Sequence, residues 1–182
     1  MTNHLVFGYG RFNPPTRGHE KVATLMAHLA DQHGADPVLC VSTRRDKNNP
    51  LHGTEKLSFV KRAFPSIHCV VASPQMQTIF HVLRFFNKTH NYTRLTMVVG
   101  ADRQDTFTNL LSKYNGKDFE FEEWEVFSAG NRNNHTESAT YLRQVATIGD
   151  FEEFREGLPE LLRDDLDVAT QVYELTRKGL GL

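Results

Sequence analysis

Cysteine is scarce in this sequence, and tryptophan scarcer still: two Cys and one Trp in 182 residues. Cys40 in "PVLCVS" and Cys69 in "IHCVVA" each lie inside an apolar run. That placement predicts two buried, reduced thiols in neighbouring strands rather than a disulfide or a nucleophile. An excess of charge of one sign is also lacking. There are 21 Lys and Arg against 22 Asp and Glu, a net charge of −1. No global field therefore favours nucleic acid or an anionic membrane, although a local basic pocket remains open. No apolar run approaches the roughly 18 residues of a membrane span. The opening "MTNHLVFGYG" lacks the charged start and long apolar stretch of a signal peptide. The expectation is a soluble, cytoplasmic protein. Nine histidines are scattered with no HExxH-type spacing, so no structural metal site is expected. Repeats, low-complexity tracts and linkers are missing too, which leaves one domain over 1–182.

What is there is an alternation. Apolar runs at 4–10, 37–42, 67–72, 94–102 and 122–130 read as strands. Helical periodicity fills 18–34, 54–64 (Thr54 as cap), 77–89, 103–114 and 136–147. One short and one long helix follow, with a start at Pro159. Continuous apolar strands alternating with helices predict a Rossmann-like α/β fold: a doubly wound, parallel, five-stranded sheet with helices on both faces. The core spans about 4–147, with a C-terminal helical extension over about 150–179. Trp124 reads as core, Phe80, Phe85 and Phe86 as a buried helix face, and "DDLD" (164–167) as a solvated helix side.

In such a sheet the site lies past the carboxyl ends of the strands, near the switch in strand order. These ends hold "GYGRFNPPTRGH", "STRRDKNN", "SPQ", "GADRQD" and "SAGNRNNHTE". Gly18 and His19 open the first helix, where N–H groups carry partial positive charge and suit a phosphate. Thr16 offers a hydroxyl at the same place, His19 a ring donor, and Gly8 and Gly10 close approach to the backbone. The plain alternative is that Gly18 shapes a turn and His19 sits on the surface.

"GRFNPPTRGH" resembles the first signature of the nucleotidyltransferase superfamily of α/β phosphodiesterase-type folds, which reads His or Thr, any residue, Gly, His. The frame with Gly10, Arg11, Phe12, Gly18 and His19 is similar to archaeal-type nicotinamide mononucleotide adenylyltransferases. Thr at position 16 is similar to phosphopantetheine adenylyltransferases. The second signature is matched by "SATYLR", giving Ser138, Thr140 and Arg143 at a helix start. "GAD" (100–102) looks like the nucleotide-binding turn of mononucleotide enzymes, and "KNNPLHGTEKLSFV" like the loop that precedes an "ER" or "EK" helix. With "KYNGK" and "SAGNR", the set resembles cytidylyltransferase-related proteins of large tailed phages, which would place the protein in the host cytoplasm.

The resemblance implies transfer of a nucleoside monophosphate, AMP from ATP first, to a small phosphorylated acceptor, with pyrophosphate released. Nicotinamide mononucleotide, giving NAD, is the first acceptor; phosphopantetheine or a CTP-dependent reaction is the alternative. It implies Mg²⁺ bound mainly through the nucleotide phosphates. Thr16 and His19 would hold the triphosphate, and Ser138 and Thr140 its β,γ end, with Arg143 reaching back from one turn in. Lys47 is the basic residue of the second loop, with Arg44 and Arg45 as competitors and a solvated loop as the plain reading. Asp102, after Gly100, would accept from a ribose hydroxyl or steer Mg²⁺, or else cap a helix. Arg132 would meet the substrate phosphate or sit on the surface. Association of copies is open. A different class also stands: a non-catalytic nucleotide-binding or assembly module.

Overall fold

The computed structural model describes residues 3–76, 78–131 and 133–182. Strands β1 (His4–Gly10), β2 (Asp36–Val41), β3 (His68–Val71), β4 (Arg94–Val99) and β5 (Glu123–Ser128) form one sheet. Its order is β3-β2-β1-β4-β5, and every pair is parallel. The central strands read as unbroken apolar runs because successive side chains serve two cores. Val6, Leu39, Val41 and Val98 face one core, while Leu5, Phe7, Val38, Cys40, Leu95, Met97 and Val99 face the other. The fold is Rossmann-like α/β, as the alternation predicts.

Helices α1 (Arg17–His33), α2 (Gly53–Ala63), α5 (Ala139–Ile148), α6 (Phe151–Glu156), α7 (Glu160–Arg163) and α8 (Leu166–Gly179) cover the first core. Helices α3 (Ile79–Thr89) and α4 (Gln104–Tyr114) cover the second. In α1, Ala23, Met26, Leu29 and Ala30 form the buried stripe, and the helix stops at Gly34 in the left-handed region, φ 58°. No helix among the described residues is long and apolar enough to cross a membrane.

Several local expectations change. The cap of α2 is His52, not Thr54, and the Glu55 carboxylate accepts from the His52 N–H at 2.7 Å. The expected start of α3 at 77 lies outside the described residues; Thr78 caps that helix. The helix expected from 136 begins at Ala139, after a 3₁₀ turn at His135–Glu137. β5 is an edge strand with one bare face: Trp124 and Val126 lean on the core while Glu123, Glu125 and Phe127 are exposed. Phe86 is buried and Phe80 half-buried, but Phe85 is exposed. The acidic run is a helix junction, where Asp165 accepts from the Val168 N–H at 3.1 Å, caps α8 and pairs with Arg62. The C-terminal part forms three helices and is no appendage. Phe154, Leu158, Leu162, Ala169 and Val172 are fully buried in the first core.

Cys40 and Cys69 are buried and unpaired, on adjacent strands. Burial pushes their thiols up, to about 12 and about 11. The native protein should therefore resist a thiol-disulfide reagent at neutral pH and expose both thiols only in denaturant. Prompt labelling of either thiol in the folded state would contradict the assignment.

Candidate functional site

A cavity of about 470 Å³ opens over the carboxyl ends of β1 and β4. From β1 the chain winds outward through β2 to β3, then crosses back to β4 on the other side of β1. The cavity thus sits at the topological switch, where diverging connections leave a crevice. Tyr9, Gly10, Val98 and Val99 form its floor, and Ala129–Asn131 one wall. The starts of α1 and α5 both open into it.

Thr16 caps α1. It is fully buried, and its hydroxyl donates to the Glu137 carbonyl at 2.9 Å and accepts from the His19 N–H at 3.4 Å. His19 Nδ1 in turn accepts from the Thr16 N–H at 3.0 Å, which completes a capping box. Because Nδ1 is an acceptor, the neutral ring carries its proton on Nε2. Phe12 packs against that ring, centroids 4.5 Å apart, with the backbone of Phe12 in the left-handed region, φ 47°. Gly10 makes this possible, since a Cβ there would stand 2.8 Å from the Phe12 ring. Gly8 is off the cavity; a Cβ would meet Met26 and Leu39 at 2.6 and 2.7 Å, so it serves close contact between α1 and the sheet. At Gly18 a Cβ would stand 2.6 Å from the Glu137 carbonyl oxygen. Gly18 therefore admits the neighbouring chain segment as well as lining the cavity.

The second signature lies directly opposite. Ser138 caps α5, with its hydroxyl 3.5 Å from the Tyr141 N–H. Arg143, one turn in, extends to the first loop and lines the cavity. It donates to the Asn13 carbonyl at 2.7 Å and to the Thr140 hydroxyl at 3.1 Å. No carboxylate among the described residues pairs with it, and burial, then nearby Arg11, lowers its pKa. Arg11 lies exposed on the same rim. At the α1 start, Arg17 N–H donates to the Gly157 carbonyl at 3.0 Å. The N–H groups of Gly18, Ala139 and Thr140 take no acceptor among the described residues, and all three residues line the cavity. Three such donors from two helix starts make an anion-binding arrangement.

The other expected residues divide. Gly100 and Asp102 line the cavity; Asp102 sits inside a 3₁₀ turn at Ala101–Arg103, exposed, 3.8 Å from Arg103, and caps no helix. Lys47, Arg44 and Arg45 do not line the cavity. Lys47 is exposed, Arg44 pairs with Asp46 at 2.9 Å, and Arg45 donates to the Pro50 carbonyl at 3.3 Å. Arg132 lies outside the described residues. No three His, Cys, Asp or Glu side chains among the described residues are grouped to hold a metal.

Sequence reasoning missed four residues. Asn13 is buried and grips Leu51 from both ends of its amide, accepting at 2.9 Å and donating at 3.3 Å. Lys21 and Glu137 pair at 2.8 Å. Lys56 is fully buried and donates to the carbonyls of Ser42 at 2.6 Å and Arg44 at 3.1 Å, which shapes the second loop from beneath. One sign was available for Lys56: it falls on the stripe with Phe59, Val60 and Ala63, where an apolar residue belongs.

Comparison with known proteins adds no family. No protein-family model matches the chain, and no curated protein matches it either.

Desolvation, then Arg11, brings the Lys56 ammonium down from 10.5 to about 8. Between those values the unfolded chain holds more protons than the folded one, so stability rises with pH there. Relative to Lys56→Met, wild type should gain up to roughly 3 kcal/mol of unfolding free energy between about pH 7 and about pH 10.5. A pH-independent difference in chemical denaturation would show that the ammonium is not desolvated.

Proposed function

We propose that the protein is a nucleotidyltransferase that moves a nucleoside monophosphate, AMP from ATP first, onto a small phosphorylated acceptor and releases pyrophosphate. Nicotinamide mononucleotide is the first acceptor. Thr16 in place of His favours a second reading, phosphopantetheine as acceptor, and CTP belongs in the same panel. What carries the proposal is the convergence of Gly18, Ala139 and Thr140 N–H groups, His19, Arg11 and Arg143 on one cavity. These are the two stretches that resemble the superfamily signatures, more than 100 residues apart in the chain.

An oxygen of the acceptor phosphate bonds to the α-phosphorus while the bond from that phosphorus to the α,β-bridging oxygen breaks. Pyrophosphate leaves with the electron pair. The attacking oxygen is already ionised near neutral pH, so no side chain has to take its proton. The work of the protein is positioning and stabilisation of charge. His19, held by its capping box, donates from Nε2 to a phosphate oxygen. The α5 start and Arg143 hold the β,γ end; Thr16 and Phe12, which also line the cavity, fix His19. Mg²⁺ would neutralise triphosphate charge, and the wall suits a metal carried by phosphates: Asp102 is its exposed carboxylate, whereas that of Glu137 is engaged by Lys21 and the Asn133 N–H.

Pyrophosphate release measured over a panel of triphosphates and acceptors tests the proposal. Binding without turnover across the panel would favour the non-catalytic module. His19→Gln keeps an acceptor for the capping box, so it should fold normally yet lose roughly 10²–10³ in turnover. Near-normal turnover would remove His19 from the chemistry. Arg143→Ala should weaken triphosphate binding far more than monophosphate binding, and Arg143→Lys should recover only part, since an ammonium lacks the bidentate fork. Equal losses for the two ligands in calorimetry would place Arg143 elsewhere.

A further inference from the structure

Glu137 is an unusual residue to find in the wall of an anion cavity. It is buried, and its position is fixed from four sides. Its carbonyl takes the Thr16 hydroxyl at 2.9 Å, and Gly18 lies against that same carbonyl. Its carboxylate takes the Asn133 N–H at 3.1 Å and the Lys21 ammonium at 2.8 and 2.9 Å. The residue that follows it, Ser138, caps α5. The carboxylate therefore organises the turn that presents the α5 start, but its charge opposes any polyphosphate held there.

Lys21 also lines the cavity, one turn into α1, yet its ammonium lies against the wall: it donates to the Glu137 carboxylate at 2.9 Å and to the Asn131 carbonyl at 3.3 Å, and the second carboxylate oxygen stands 2.8 Å away. The charge of an ammonium paired this closely is spent first on the carboxylate.

We propose that Lys21 is a charge-balancing positioning residue: it sets the anion affinity of the cavity by neutralising Glu137, and it does not touch the ligand. The inference rests on the anion-site reading above. It predicts a sign that neither a direct ligand nor a merely structural strut would give. Removing Lys21 alone leaves a bare carboxylate beside the phosphates. Removing both charges should restore binding.

The test uses Lys21→Met and Glu137→Gln, which keep the stems, and the double variant. Calorimetry with ATP, CTP, AMP and inorganic pyrophosphate at fixed ionic strength supplies the affinities, and thermal melts check the fold. Lys21→Met should weaken triphosphate and pyrophosphate about tenfold or more and AMP much less, with the loss shrinking at high salt. The double variant should return to within about threefold of wild type. A double variant as weak as Lys21→Met would overturn the inference. If Lys21→Met does not fold, Glu137→Gln decides: it should bind pyrophosphate at least as tightly as wild type, and a loss beyond about threefold would overturn the inference. Failure of wild type to bind any of the triphosphates or pyrophosphate would instead sink the anion-site reading itself, and this inference with it.

Discussion

The most deeply buried hydrogen bond between the two halves of the site is that of the Thr16 hydroxyl on the Glu137 carbonyl, at 2.9 Å across 121 residues of chain. Both partners are buried, so water does not compete for either. The bond brings the start of α1 against the turn that starts α5. The lack of a side chain at Gly18 is what lets the two backbones meet. The meeting of the two helix starts at the cavity follows from that contact. His19 is oriented by the same threonine, Ser138 follows the accepting residue directly, and Arg143 extends from α5 back to the carbonyl of Asn13.

The layout of charge has a second theme. Three cations, Lys56, Arg143 and Lys21, are wholly or partly buried around this end of the sheet, and they are satisfied differently. Lys56 holds two carbonyls and Arg143 a carbonyl and a hydroxyl, with no carboxylate for either among the described residues. Carbonyl oxygens satisfy donors without cancelling charge, so the positive field of both cations persists. Lys21 alone is matched by a carboxylate. The field at the cavity thus comes from which cations are left uncancelled, and the overall charge of the chain says nothing of it.

The architecture was legible because its cause is periodic. Strands buried on both faces must be apolar throughout, and amphipathic helices must show their stripe, so β1, β2 and β4 and helices α1, α3 and α4 stand out in the sequence. β5 also stood out, but its bare face did not, since an edge strand differs from a central one in what covers it. The meeting of His19 and Arg143 on one cavity was foreshadowed by a matched pattern. The work of Thr16 was not, because a hydroxyl beside a helix start reads the same whether it faces a ligand or a distant carbonyl. The second loop misled for a related reason. "TRRDKNN" advertises three cations that end on Asp46, on Pro50 and in solvent, while the cation that shapes the loop hides within α2. Exposure decides such cases, and exposure is a property of the fold.

The C-terminal helices carry a consequence for the order in which the molecule can become functional. The first N–H of α1 is satisfied by the carbonyl of Gly157, and α6 to α8 fill the core beneath α5. On a ribosome, β1 and α1 emerge well before Gly157, so the helix start they carry meets its partner only after all five strands have been made. Until then the Arg17 N–H and the apolar underside of α5 face solvent. The glycine-rich loop after β1 is thus finished by residues more than 100 positions further on. Synthesis delivers the five strands before the cavity between α1 and α5 can close.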